Sequence, residues 1–453
     1  MMPNLTKKRK KQGYSSAKKR VPPAVGMGNP RAESGKCIAT AGESFPNARI
    51  ELVGDPSNHG RLNLLLFDGS NLSVAPQITY RCSTYSPIAL DPTVIRTVPW
   101  PHSPIKYGST RKLFDRVLGL IAQSVEISDP YARLLTYFVF SSWFPDRLSL
   151  SPALAILGPA DGEGVQLLKL LRGLCRRSML LAEASQTNLL SLPLQVSPTL
   201  LLNRPMMTRR LQNFLSNSNR CGLGTVKAGK VLEICCPTAI YLGMDEVPPR
   251  VASSMIQVAL SSSTPRRRIL TERAVRDISV EIQGKMLQYR LANYSKVKPR
   301  EVRGVNFTDQ TREIAVNLAA CIVDDAELAG GVLPLLQGQD DYVRGQPDRR
   351  LDAAILGAVL TCLHEKKSNR VQVKEITVLA NTLLQAQGEL VDYRPEDVGH
   401  RLDGFSLWRT RQNEGMFLLL GRDTSRLVHR LAIEHGVAWN VDSRLGCPDC
   451  LLL

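Results

Sequence analysis

Between Ser44 and Pro99 the chain alternates apolar and polar positions with a period of two. The runs are Arg49-Ile50-Glu51-Leu52-Val53, Arg61-Leu62-Asn63-Leu64-Leu65-Leu66-Phe67 and Gln77-Ile78-Thr79-Tyr80-Arg81-Cys82. Turn formers such as Asp68-Gly69-Ser70 separate them, which predicts a small antiparallel β unit over 44–99. Past Pro99, Pro101 and Pro104 the period lengthens. Lys112 to Val125 sets Leu113, Val117, Leu120 and Ile121 on one helical face, and Pro130 to Phe144 predicts a second, more buried helix, so 100–149 reads as a helical linker.

The middle of the chain alternates short apolar runs with amphipathic ones. Strands are predicted at Ala153–Leu157, Met179–Ala182 and Thr199–Leu202, with one or two more over Lys230–Leu242. Helices are predicted at Gly164–Cys175 and Thr208–Ser216. Such alternation implies βαβ units and a parallel sheet covered on both faces. Helical patterns at Thr271–Ala292 and Asp309–Cys321 predict a helical lid over 266–345 on a core spanning 150–265. The last third predicts helices at Asp352–Glu365, Val373–Ala386, Pro395–Leu402 and Thr424–His435. Two short strands flank Gln412-Asn413-Glu414-Gly415. Three helices followed by a hairpin make a winged-helix domain over 346–437, leaving a tail at 438–453. The expected fold class is therefore an α/β core, a parallel sheet with helices, carrying a small N-terminal β unit and a C-terminal winged helix.

The chemistry concentrates in the loop after the 153–157 strand, Gly158-Pro159-Ala160-Asp161-Gly162-Glu163-Gly164-Val165-Gln166. A phosphate-binding loop cradles its ligand with backbone N–H groups. A lysine after the last glycine reaches the β and γ phosphates, and the next Ser or Thr holds magnesium. Here Val165 and Gln166 stand at those two places. About forty residues on, the Thr199–Leu202 run ends in Asn203, where a catalytic core of this kind needs an acid to help hold magnesium and orient the attacking water. An amide cannot act as that base, and Glu163 beside the loop adds repulsion for a phosphate.

The 158–166 loop, the 199–203 strand and Cys235-Cys236-Pro237-Thr238-Ala239-Ile240-Tyr241-Leu242-Gly243 together resemble the bacterial P-loop, AAA-like ATPases related to phage and plasmid helicase-primases. In those relatives the loop ends Gly-Lys-Thr, the second strand ends in Asp-Glu and the third carries a polar sensor. The resemblance covers roughly residues 130–300 and departs at the residues that do the chemistry. It implies a degenerate nucleotide site at Gly158, Gly162, Gly164, Val165, Gln166 and Asn203. No cofactor is expected, and ATP is the one the loop could still take, since backbone amides at a helix N-terminus favour an anion. A pseudo-ATPase, an ATP binder without hydrolysis and an ordinary strand and turn remain alternatives. An active helicase is another, its cation supplied by Lys169, Lys227 or Lys230.

Charge adds a partner. The net charge is +17, and residues 1–36 hold ten cationic side chains against one acid, Glu33. The basic run includes Lys7, Lys8, Arg9, Lys10, Lys11, Lys18, Lys19 and Arg20, and its composition predicts a disordered tail over 1–43 that neutralises phosphates. In the winged helix, Lys366, Lys367 and Arg370 form a candidate rim, Arg394 and Arg401 lie on the third helix, and Arg409 and Arg411 lie on the wing. A further basic cluster, Arg266-Arg267-Arg268 with Arg273 and Arg276, reads most simply as a solvated helix start.

Duplex DNA is the expected partner, with a homo-oligomer or a protein-pairing scaffold left open. No apolar run reaches the roughly 18 residues of a membrane span, and no signal-peptide core follows the basic start, so a cytoplasmic, nucleoid-associated protein is expected. The ten cysteines sit mostly alone in apolar stretches, as reduced thiols do, and a disulfide framework is not expected. Cys447-x-x-Cys450 has metal-ligand spacing. Only His429 and His435 lie near enough in sequence to join it, which leaves no metal site predicted and Cys447 and Cys450 as weak candidates. The reading that unites these features is a DNA-associated, non-catalytic protein acting by binding in replication or maintenance of a mobile element or chromosome.

Overall fold

The computed structural model describes residues 37–159, 162–227, 230–245, 247–261, 270–300, 306–345, 347–365, 369–389, 392–437, 447, 449 and 450. The basic run at 7–20, Arg266–Arg268, Lys366 and Lys367 lie outside the described residues. Among the described residues no helix is long and apolar enough to cross a membrane.

The N-terminal strands are β1 (Cys37–Thr40), β2 (Gly42–Ser44), β3 (Arg49–Gly54), β4 (Leu62–Phe67), β5 (Leu72–Ala75), β6 (Ile78–Tyr80) and β7 (Ser83–Pro87), followed by helix α1 (Pro92–Thr97). β2 to β5 form an antiparallel meander, and a second sheet has the order β1-β7-β6. This unit differs from expectation in two ways. It begins at Cys37, inside the stretch assigned to the tail, and β1 runs parallel to β7. A four-residue strand that buries only Thr40 is too short to show a period of two. Ile50, Leu52, Leu64, Tyr85 and Trp100 form the unit's core.

The central region contains α2 (Thr110–Ser124), α3 (Asp129–Ser141), β8 (Ala153–Leu157), α4 (Glu163–Leu174), β9 (Met179–Leu181), α5 (Gln186–Ser191), β10 (Leu200–Asn203), α6 (Arg209–Asn217), β11 (Gly224–Lys227), β12 (Lys230–Glu233), β13 (Thr238–Gly243), α7 (Pro249–Ala252) and β14 (Met255–Ala259). Then come α8 (Glu272–Asn293), α9 (Asp309–Ala320), α10 (Ala326–Gly330) and α11 (Val332–Arg344). β8, β9, β10, β13 and β14 make a five-stranded, all-parallel sheet in the order β14-β8-β13-β10-β9, while β11 and β12 pair as a separate hairpin. The chain winds from β8 out to β9 on one side and returns through β13 to β14 on the other. The C-terminal end of β8 is therefore a switch point, where open α/β sheets leave a crevice.

Helix α4 buries Leu167, Leu168, Leu170, Leu171 and Leu174, each worth about 1.5–3 kcal/mol on removal from water. Past its exposed first turn, helix α3 is buried from Leu134 onward, with Leu135, Phe138, Val139 and Phe140 at 0% exposure. One hydrophobic cluster holds residues of α2, α3, α4, α8, α9 and α11 together with β8 and β14. The helices at 100–149 and 266–345 thus contribute to the central core itself, where the sequence suggested a linker and a lid. Cys221 and Cys235 pair as a disulfide, Cα–Cα 4.9 Å, and Cys37, Cys82, Cys175, Cys236, Cys321, Cys362, Cys447 and Cys450 are not disulfide-bonded. The expectation of unpaired cysteines is corrected at this one pair, because the folds before and after the hairpin bring together two residues 14 apart.

The C-terminal elements are α12 (Pro347–Glu365), β15 (Arg370–Gln372), α13 (Val373–Ala386), α14 (Pro395–Gly404), β16 (Arg409–Gln412), β17 (Gly415–Leu419) and α15 (Arg422–Glu434). β15 and β16 flank β17 in a three-stranded antiparallel sheet. A separate core, including Ile355, Val359, Ile376, Ala380, Val398, Leu402, Leu418 and Val428, unites the helices with the sheet.

Candidate functional site

The glycine loop leaves the sheet at the switch point. The Gly158 amide donates to the Gly243 carbonyl at 2.8 Å, tying the end of β8 to the end of β13. A Cβ on Gly158 would lie 2.8 Å from Cβ of Leu260, so this glycine is required by a close approach of side chains. Residues 160 and 161 lie outside the described residues. Gly162, at φ +99°, is the N-cap of α4, and its carbonyl accepts from the Gln166 amide at 3.0 Å.

Tyr241 of β13 lies directly against this loop. Its hydroxyl donates to the Pro159 carbonyl, with the Gly158 carbonyl 3.5 Å away. A Cβ on Gly164 would fall 2.3–2.4 Å from three atoms of the Tyr241 ring. Gly164 is thus a packing glycine, and its want of a side chain serves the tyrosine as much as it would any phosphate. Glu163, 5% exposed, adds a carboxylate to the first turn of α4, the positive end of the helix dipole. Val165 and Gln166 are partly exposed, and Gln166 Oε1 accepts from the Leu270 amide at 3.4 Å.

Asn203 ends β10 beside Tyr241 in register. Its Oδ1 is buried without a hydrogen-bond partner among the described residues. Next to it Arg204, at φ +45°, is exposed, and its Nε lies 3.3 Å from where a Gly243 Cβ would stand. Gly158, Gly162, Gly164, Val165, Gln166 and Asn203 thus lie at the C-terminal end of the sheet, together with Tyr241 and Arg204, which the sequence reading did not single out as site residues. No local signal marks Tyr241, since its contact with Gly164 crosses 77 positions of chain.

Of the alternative cations, Lys169 pairs with Glu272 at 3.8 Å, on the face of α4 toward α8. Lys227 and Lys230 oppose each other in the β11–β12 register, at the end of a hairpin on which Val226 and Val231 are 69% and 74% exposed.

The described candidate arginines of the C-terminal unit differ in their partners, and Arg370, Arg394 and Arg411 are exposed. Arg409 makes a bidentate pair with Asp403, Nε to Oδ1 at 3.0 Å and Nη2 to Oδ2 at 2.5 Å, and lies so close over Gly399 that no Cβ would fit there. Arg401 pairs with Asp352 at 3.5 Å. Arg394 is the N-cap of α14, its amide bonded to Asp397 Oδ2 at 3.3 Å. Arg370 bonds Gln412 Oε1 and stacks over Phe417 at 5.0 Å. Arg411 is exposed on β16. Cys447 and Cys450 meet His429, as weighed from sequence, but His435 is packed against Phe405, ring centroids 5.4 Å apart, and His364 of α12 takes the fourth place.

No protein-family model matches the chain, and no curated protein matches it. Among solved structures it is similar to the C-terminal region of NrS-1 in its A-form apo state, at 11% identity over 82% of this chain and 97% of that one, TM-score 0.34. A second structure of that region, spanning 305–718, matches at 10% identity over 82% and 96%, TM-score 0.31. A full-length MCM homolog from Methanopyrus kandleri matches at 10% identity over 64% of this chain and 76% of that one, TM-score 0.34.

Proposed function

We propose that the chain is a DNA-associated protein that acts by binding, in replication or maintenance of a mobile element or chromosome. Its P-loop-type core serves as a scaffold and hydrolyses no nucleotide. The observation that carries this reading is the presence of Val165, Gln166 and Asn203 at the C-terminal end of the sheet. Two places that need a cation and a magnesium-holding hydroxyl offer an isopropyl group and an amide, and the place that needs an acid offers another amide. The loop's own electrostatics work in the same direction: Glu163 already supplies the anion that the α4 N-terminus would otherwise attract.

The binding surface we propose combines the basic run at 7–20 with the C-terminal unit read as a winged helix, in which β16 and β17 form the wing and Arg411 is its exposed cation. The β11–β12 hairpin is a further contact, since it exposes two valines and sets two lysines at facing positions. Calorimetry with ATP and magnesium, paired with duplex-DNA binding across a salt series, tests both halves of the reading. The expected outcome is no ATP turnover with or without DNA, together with affinity that falls linearly in log salt, by about 0.9 per phosphate contact. Turnover stimulated by DNA would favour the active helicase. Nucleotide binding without turnover would favour a binder that uses Arg204 and Asn203. No affinity for nucleic acid would leave the protein scaffold.

A further inference from the structure

We propose that His364, His429, Cys447 and Cys450 form a structural zinc site that fastens the end of the chain to the C-terminal unit. The inference is independent of the reading of the glycine loop. Three separate pieces of chain supply the ligands: the last turn of α12, the middle of α15, and the Cys-x-x-Cys segment beyond it.

The four ligand atoms lie within 4.8 Å of one another. His364 Nε2 and His429 Nε2 are 3.2 Å apart, and His429 Nε2 is 3.1 Å from Cys450 Sγ and 3.4 Å from Cys447 Sγ. Cys450 Sγ is 3.4 Å from His364 Nε2. Tetrahedral zinc, with bonds of about 2.05 Å to nitrogen and about 2.3 Å to sulfur, gives edges of about 3.3 Å between nitrogens and about 3.6 Å between nitrogen and sulfur. These four edges lie within about half an ångström of that polyhedron, slightly contracted, and the other two, from Cys447 Sγ to Cys450 Sγ and to His364 Nε2, stay within 4.8 Å.

Hydrogen bonding among the four side chains does not account for the cluster. His429 Nδ1 lies 2.8 Å from the Ser425 carbonyl, which can only accept, so Nδ1 carries the proton and Nε2 presents a single lone pair. Three groups converge on that one lone pair, and one of them is another imidazole nitrogen. A cation at the centre uses all four lone pairs at once. The Ser425 contact is also what fixes the ring and tautomer of a zinc-bound histidine. The support extends outward: Ser425 Oγ donates to Asp449 Oδ2 at 2.6 Å, and Arg426 Nε approaches Asp449 Oδ1 at 3.6 Å, so α15 holds the Cys447–Cys450 segment from both sides. His429 is 1% exposed, and the other three ligands are half-buried.

Two thiolates and two imidazoles in a tetrahedron suit zinc above the other common divalent ions. With all four positions taken by protein there is no place for a water or substrate, so the role is structural. Zinc content and thiol accessibility of the purified full chain test the assignment. We expect one tightly held zinc per chain, two thiols shielded from a thiol reagent until a chelator is added, and a cobalt-substituted form with the strong visible bands of a tetrahedral thiolate site.

His364→Ala decides the ligand set, because it leaves the Cys-x-x-Cys pair and His429 in place. Loss of the tetrahedral cobalt spectrum in H364A supports the four-ligand site, and retention of both metal and spectrum overturns it. Should C447S or C450S fail to fold, cobalt titration of the chelator-stripped native chain carries the decision. An octahedral spectrum, no uptake, or a Cys447–Cys450 disulfide in freshly purified reduced protein would each refute the proposal.

Discussion

Arg290 Nε donates to Glu51 Oε1 at 2.6 Å and so joins the last turn of α8 to β3 across 239 residues of sequence. Both side chains are almost wholly buried, 3% and 5% exposed. The same carboxylate takes Arg176 at 2.8 Å and Arg177 at 3.2 Å, and the other side of Arg290 makes a bidentate pair with Asp146 at 2.8 and 2.7 Å. This network, and not apolar contact alone, docks the N-terminal β unit onto the central core.

Removing Glu51 would take the carboxylate from Arg176 and Arg177, both buried, and leave Arg290 with Asp146 alone. Glu51→Ala is expected to cost about 3–5 kcal/mol, measured as a lower urea midpoint, because a broken buried pair leaves uncompensated charge. The pH dependence has a definite sign. Burial by itself pushes the Glu51 carboxyl up, but Arg290, then Arg176 and Arg177, overcome it and hold the group at about 2, down from its ordinary 4.5. A depressed carboxyl contributes stability that is fully present above about 4.5 and is lost as pH falls toward about 2. The stability gap between the native chain and Glu51→Gln should therefore narrow progressively below pH 4.5, and a gap unchanged down to pH 2 would contradict the network.

Gly164→Ala distinguishes the packing role of this glycine from a purely local one. Within a helix, alanine in place of glycine normally gains up to about 1 kcal/mol. Here the added methyl meets the Tyr241 ring at 2.3 Å, and the ring is 2% exposed with its hydroxyl anchored on the Pro159 carbonyl. The substitution should instead destabilise by about 1–3 kcal/mol, as overpacking does. Combining it with Tyr241→Ala should cost less than the two single changes together, since one clash is removed. Thermal unfolding of the four proteins measures the coupling.

Arg409 and Arg411 sit two residues apart on β16 and should behave differently. Arg409 is committed to Asp403 and covers Gly399, so Arg409→Ala should lower the melting temperature while leaving the salt dependence of DNA binding as it was. Arg411 faces solvent, and Arg411→Ala should leave stability within about 0.5 kcal/mol while reducing the salt slope by about one unit. Equal effects of the two changes on DNA affinity would remove the β16–β17 hairpin from the proposed surface.

How far the sequence discloses this molecule depends on the range of the contacts involved. The strands β8, β9, β10 and β13 and the helices α4, α13 and α14 announce themselves by local periodicity, because each buries one face or is buried outright. β14 goes unread: Met255-Ile256-Gln257-Val258-Ala259 is a five-residue run beside serines, and only its pairing with β8 makes it a strand. β15 is shorter still. At the candidate sites the same rule holds. The missing lysine at Val165 is visible in one dimension. Tyr241 against Gly164, and His364 facing His429 across 65 residues, exist only once β13 lies beside β8 and α12 packs on α15.

Installing a lysine and a hydroxyl at 165 and 166 asks whether the loop has the shape of a phosphate cradle. Val165→Lys with Gln166→Thr returns the cation and the magnesium-holding hydroxyl, at the cost of one bond from the Leu270 amide, about 0.5–1.5 kcal/mol. The backbone that would hold the ligand is unchanged, with Gly162 at φ +99° opening the first turn of α4. The double variant should give a calorimetric signal with ATP and magnesium where the native chain is expected to give none, and should turn nothing over while Asn203 stands in place of an acid. Adding Asn203→Asp should then permit slow hydrolysis. If the double variant stays silent, the grip of Tyr241 on the Pro159 carbonyl has fixed the loop in another shape. Tyr241→Phe, which removes that hydroxyl, is the change that should release it.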